Sequence, residues 1–208
     1  MSRTYYQNWF EINKKEYPSS LSLSTILYDY YLGLIDLKEG KIPAARSKLE
    51  EMKSFVEQMP PQSQRQVRFN YDLFQGEVLM AEGSGDQAIA VLSKAPGPGR
   101  PPDMNSIFPS YNMPFIKDSL ARAYLKKGLV DKAIAEYERL TTFDPKREER
   151  LLIYPKYHFW LAKLYEQRGL KEKAAGQYRK FLEIWKAADP DLPEYQEARA
   201  RLTALAKQ

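Results

Sequence analysis

Small and apolar residues recur along the chain at the spacing of helices that pack in pairs. The clearest copy predicts a first helix, a glycine that ends it, and a second helix that begins at once. The positions that fix this interpretation are Leu120, Ala121, Tyr124, Gly128, Ala133, Tyr137 and Leu140. Asp144-Pro145 then stops the second helix, because proline lacks an amide donor and clashes with the preceding turn.

The same pattern returns further along the chain. Six positions recur 41 residues later, at Leu161, Ala162, Tyr165, Gly169, Ala174 and Tyr178. Two earlier copies are looser but keep an alanine five residues after a glycine, at Gly40/Ala45 and Gly83/Ala88. An internal repeat at this spacing is typical of stacked helical arrays, in which one unit cannot bury its apolar face alone.

The prediction is therefore an all-α, right-handed helical-repeat solenoid of about four helix pairs with N- and C-terminal end helices. The expected order is an end helix, two repeats, a proline-rich segment, two further repeats and a capping helix. Their bounds are 1–20, 21–60, 62–95, 96–113, 114–147, 148–189 and 191–208. The two clearest copies are 41 residues apart, and the residues by which this spacing exceeds a 34-residue period are expected to lengthen helices around 146–158.

Two segments leave alternatives open. The stretch from Ala95 to Pro114 holds six prolines and cannot be regular helix. It is either a linker or a segment partly packed beside the array. The N-terminal helix carries an apolar stripe with no helix before it in this chain, so it is either a cap or the second half of an interrupted repeat. An exposed apolar face there would favour a homodimer through this end.

The spacing resembles the tetratricopeptide repeat, a helix-turn-helix unit. ARAYLKKGLVDKAIAEYERLTTFDP (121–145) and YHFWLAKLYEQRGLKEKAAGQYRKFLEIWKAADPDLPE (157–194) are also similar to repeat arrays of bacterial signalling proteins, which follow a serine/threonine kinase or a DNA-binding regulator. The resemblance implies a non-enzymatic scaffold that binds a peptide or protein. Alternatively, it implies a regulatory module of such a kinase or transcription regulator.

In this family the first helices of successive units line a concave groove. Transferred to this sequence, the resemblance implies that the partner meets aromatic residues in the first half and a mixture of bases and tryptophan in the second. The candidate groove residues are Tyr30, Tyr31, Asn70, Phe74, Arg122, Lys126, Trp160 and Lys163. The competing interpretation is that Tyr31, Phe74 and Trp160 pack against neighbouring helices or the proline-rich segment.

Composition argues against catalysis. The chain has no cysteine and a single histidine, His158, so no thiolate site and no two-histidine metal site is expected. The glycine-rich stretches lack the phosphate-loop pattern. We expect no enzymatic activity, no metal and no cofactor.

Net charge is +5, and the excess of basic residues lies after Met104, where the chain has 20 basic and 14 acidic residues. Interspersed acids favour ordinary solvated helix faces, but nucleic-acid binding through this half stays an alternative. No apolar run is long enough for a signal peptide or a membrane span. A cytoplasmic location is favoured, with export expected if a longer protein carries an upstream signal.

Overall fold

The computed structural model describes residues 3–17, 21–95, 117–142, 153–189 and 191–207, and every regular element in these ranges is a helix. The all-α prediction is confirmed. The ten helices are α1 (Arg3–Glu16), α2 (Leu21–Lys38), α3 (Ile42–Gln58), α4 (Pro61–Ala81), α5 (Gly85–Leu92), α6 (Ser119–Lys126), α7 (Val130–Thr141), α8 (Pro155–Gln167), α9 (Lys171–Ile184) and α10 (Pro193–Leu205).

The chain divides into two compact units, Met1–Tyr111 and Asn112–Gln208. In the first unit α2 pairs with α3 and α4 with α5, while α4 also packs against α2 and α1 lies against α2. In the second unit α6 pairs with α7 and α8 with α9, and α10 packs against α9. Each unit thus holds two of the predicted helix pairs. One continuous array over 1–208 stays a prediction.

The recurring glycines lie in the turns inside the pairs. Gly40, Gly83, Gly128 and Gly169 have φ between 72° and 82°, the left-handed region that glycine adopts without steric cost. The amide of the next residue donates to a carbonyl five residues earlier, as from Leu129 to Tyr124 at 2.9 Å. This is the Schellman closure of a helix C-terminus, and it confirms that these glycines end the first helices.

The recurring alanines mark the start of the second helices. The residue after each glycine is also the N-cap of the following helix, as Leu129 is for α7. Ala133 is the first residue to return a helical bond to that cap, from its amide to the Leu129 carbonyl at 3.1 Å. One residue therefore closes one helix and opens the next, and the five-residue spacing of glycine and alanine follows from this geometry.

Close approach of helices explains the small residues. The alanines at 45, 88, 133 and 174 are completely buried. In the first unit Gly33 of α2 faces Phe74 of α4, and a Cβ atom at Gly33 would lie 2.0 Å from the ring Cζ. The equivalent first-helix positions of the second unit are Ala121 and Ala162, which are also fully buried. Gly33 therefore leaves no room for a methyl group, whereas Ala121 and Ala162 each hold one inside the packing.

Aromatic residues fill the second unit. Phe159 packs against Tyr178 and Phe181, with ring centroids 6.1 Å and 5.5 Å away. The buried hydroxyl of Tyr137 donates to Asp118 Oδ2 at 3.0 Å, which ties α7 to the start of α6. At the other end, Ala198 of α10 is buried, so this helix covers the last pair as the predicted cap should.

Some expectations fall outside the described residues. The proline-rich segment 96–113 is one of them. The predicted helix extension around 146–158 is another, except that α8 begins at Pro155. No described helix has the length and apolarity needed to cross a membrane.

Candidate functional site

The first-unit candidates lie inside helix packing. Tyr30 and Phe74 are 1% and 0% exposed, and their rings meet edge to face at 6.1 Å. Tyr31 is buried beneath Tyr6 of α1, whose ring stacks on it at 4.5 Å with a 16° angle between the planes. Asn70 is also buried. For Tyr31 and Phe74 the structure thus shows the packing role that the sequence left as the alternative.

The second-unit candidates lie at the surface. On α8, Tyr157, His158, Phe159, Leu161 and Ala162 are buried, whereas Trp160 is 39% exposed. Lys156 and Lys163 are partly exposed and stand four residues before and three residues after Trp160. Positions so spaced share one helical face. Trp160 is therefore the one large apolar side chain on the solvent-facing stripe of α8.

Lys163 is held in place beside that tryptophan. Its Nζ lies 5.6 Å from the centre of the Trp160 ring and 5.4 Å from that of Phe159, within the range of cation–π attraction. The same Nζ donates to Glu197 Oε1 of α10 at 2.8 Å. The ammonium group thus lies between a carboxylate of α10 and the two aromatic rings.

Arg122 and Lys126 lie one turn apart on α6. The Arg122 Nε donates to Asp118 Oδ1 at 2.9 Å, and the Arg122 side chain remains 41% exposed. Asp118 also accepts the Tyr137 hydroxyl, so the carboxylate that orients Arg122 is itself fixed by the core. Lys126 is exposed near the C-terminus of α6. The second-unit candidates thus lie on two helices, Arg122 and Lys126 on α6 and Trp160 and Lys163 on α8.

The sequence interpretation missed the acidic residues of α10. Glu194 forms an ion pair with Lys156, and this hydrogen bond lowers the pKa of Glu194. Glu197 pairs with Lys163. A signal was present, because Pro193-Glu194-Tyr195 repeats Pro155-Lys156-Tyr157 with the charge reversed. Helix α10 thus begins like another first helix and presents acids to the bases of α8.

His158 has a structural role. It is 4% exposed, and its Nδ1 lies 2.7 Å from Gln177 Oε1 on α9. Burial lowers the pKa of the imidazole, which favours the neutral ring. Among the described residues, no group of three or more histidine and acidic side chains could hold a metal ion.

Comparison with known proteins links this geometry to a repeat family. Residues 118–147 match the tetratricopeptide repeat model. One similar solved structure is a Podosopora anserina protein named as a putative kinesin light chain, with nearly identical tetratricopeptide-like repeats. It is 16% identical with a TM-score of 0.57, over 86% of this chain and 84% of that one.

A second similar structure is a thermophilic tetratricopeptide repeat protein of Thermus thermophilus. It is 19% identical with a TM-score of 0.54, over 98% of this chain and all of that one. At these identities the likeness shows a common helical-repeat fold. A search of curated protein sequences finds no match.

Proposed function

We propose that this chain, which carries a tetratricopeptide repeat at 118–147 within a helical-repeat fold, binds a peptide or protein through the exposed stripe of α8 and the bases of α6. The repeat family generally serves as a protein–protein interaction module and is typically non-catalytic. The observation that carries the proposal is the exposure of Trp160, on a helix whose other large apolar side chains are buried.

Physical chemistry favours Trp160 as an anchor. Tryptophan and arginine contribute most often to the binding energy of interfaces, because they bury a large area at modest entropic cost. The indole already contacts the Phe159 ring and the Lys163 ammonium, and such contacts reduce the conformational freedom that is lost when a partner covers it. Arg122 is pre-oriented by Asp118 and remains exposed enough to pair with an acidic group of the partner.

The basic excess of the second half gives less support to nucleic-acid binding. Several of its cations are engaged within the unit, since Lys156, Lys163 and Arg168 pair with Glu194, Glu197 and Asp131. Such pairs reduce the charge available to phosphates. Nucleic-acid binding stays a prediction, as does the regulatory role beside a bacterial kinase or transcription regulator.

The test is affinity capture with the full chain and three variants, followed by quantitative mass spectrometry and a titration of each captured protein. Trp160→Ala and Arg122→Ala should weaken binding by about tenfold or more, as interface anchors do. Ile184→Ala is the matched control, because Ile184 is 51% exposed but lies on α9. Equal capture by all variants, with unchanged melting, would place the interface elsewhere.

A further inference from the structure

Helix α1 is attached to the first unit through one face. Arg3 Nη2 donates to Asp36 Oδ1 at 2.7 Å and to Glu39 Oε2 at 2.9 Å. The Phe10 ring stacks on Tyr28 at 4.4 Å, with 22° between the planes. Together with the stack of Tyr6 on Tyr31, these contacts define the α1 seat, which consists of Tyr28, Tyr31, Asp36 and Glu39 on and just after α2.

Release of α1 would strand no buried charge. The Asp36 carboxylate is 3% exposed, and its second oxygen, Oδ2, lies 3.2 Å from Lys48 Nζ. Glu39 likewise keeps Lys41 at 2.7 Å. An uncompensated buried carboxylate would be costly, but both acids of the seat retain a lysine. No residue of α1 itself is fully buried. Detachment breaks two ring stacks and the Arg3 hydrogen bonds, but it leaves neither acid of the seat without a cation.

The α1 seat, once α1 has left it, would fit another helix with the sequence pattern of α1. It takes a helix with an arginine followed by aromatic rings three and seven residues later, the pattern of Arg3, Tyr6 and Phe10. A second copy of this chain supplies that helix, and the contacts it would make are the same as those made within one copy. Only four residues, 17–20 and including Pro18, separate α1 from α2. A short connection is one of the features that favour exchange between copies.

The outer face of α1 is a poorer basis for a dimer. Tyr5 and Ile12 are 64% and 59% exposed. Two such side chains form no large apolar patch, and single exposed apolar residues are common on soluble proteins. Exchange, in contrast, reuses the entire seat in each copy. We propose that two copies of this chain associate by exchanging α1, each helix occupying the α1 seat of the other copy.

The absence of cysteine from the chain permits a direct test. One tagged full-length copy carries Tyr6→Cys and a differently tagged copy carries Tyr31→Cys, so that each has a single thiol. The Arg3 contacts and the Phe10 stack remain in both. After mixing at high protein concentration, a short bis-maleimide should link the two copies, with a yield at least about fivefold above the control. The control replaces Tyr31→Cys by Phe55→Cys, an exposed position on α3.

A hinge variant sharpens the result. Insertion of about four Gly/Ser residues after Ser19 should lower the linked yield, since a longer connection lets α1 reach its own seat more freely. Light scattering of the unmodified chain should show the dimer increasing with concentration. A linked yield equal to the Phe55→Cys control would overturn the proposal. A dimer that light scattering detects but that gives no link between positions 6 and 31 would also overturn the proposal, because such a dimer would use another surface.

Discussion

Gly33 and Phe74 touch where α2 and α4 cross: a Cβ atom on the glycine would lie 2.0 Å from the phenylalanine Cζ. Real Cβ atoms do not approach ring atoms so closely. The packing of α2 against α4 therefore requires a residue without a side chain at position 33. Phe74 is completely buried and its ring also meets Tyr30. The ring has little room to withdraw.

Gly33→Ala should therefore destabilise the protein by about 1 to 3 kcal/mol through overpacking. Gly176→Ala is the matched control, because Gly176 lies inside α9 and nothing stands within 4 Å of its Cβ position. That change should stabilise by about 0.5 to 1 kcal/mol, since alanine loses less entropy in a helix. Urea unfolding followed by circular dichroism measures both. Similar effects for the two variants would argue against the close contact.

Gly128→Ala tests the turns. The φ of Gly128 is 73° and no atom lies within 4 Å of its Cβ position, so any cost comes from the backbone alone. Alanine should destabilise by about 1 to 2 kcal/mol. Asparagine should cost less, because it tolerates the left-handed region better. Thermal unfolding of both variants gives the comparison, and an asparagine variant less stable than the alanine variant would contradict the assigned conformation.

Ala133→Leu should destabilise by about 1 to 3 kcal/mol, because Ala133 is completely buried between paired helices. Ala174→Leu should act alike in the next pair. Ala135→Leu is the control on the same helix. Because Ala135 is exposed, its replacement should change the free energy of unfolding by no more than about 0.5 kcal/mol. Equal melting temperatures for Ala133→Leu and Ala135→Leu would refute the packing.

Asp29 should make stability depend on pH. Burial, assisted by the nearby Glu51 and opposed by Lys48, raises the pKa of this carboxyl from 3.8 to about 7. Between about pH 4 and pH 7 the folded chain thus binds more protons here than the unfolded chain, and its stability falls as pH rises through that window. The loss is at most about 4 kcal/mol.

Asp29→Asn should remove this slope, so that the variant gains most over the unmodified chain above about pH 7. Urea unfolding at about pH 5 and about pH 8 measures the difference. Glu57→Gln, at an exposed position of the next helix, serves as the control. If the gain in stability from Asp29→Asn is the same at both pH values, the Asp29 carboxyl is not the titrating group.

The sequence predicted the helix pairs well because their turns obey local rules. A left-handed glycine and an alanine five residues later fix the turn whatever surrounds it, as at Gly128 and Ala133. The candidate site was harder. Tyr31 and Trp160 occupy matching positions, two residues before Gly33 and Ala162. Tyr31 is covered by Tyr6, 25 residues away, whereas Trp160 remains exposed. No local pattern states whether a distant ring will cover a given side chain.

The cap shared between paired helices has a consequence for how such a chain can change in length. Since one residue both ends the first helix and starts the second, an insertion within the turn would break the Schellman bond, the cap and the alanine register together. Successive glycines here stand 43, 45 and 41 residues apart, yet each keeps its alanine at five. Growth and shrinkage of the repeats are therefore confined to helix lengths and to the connections between pairs.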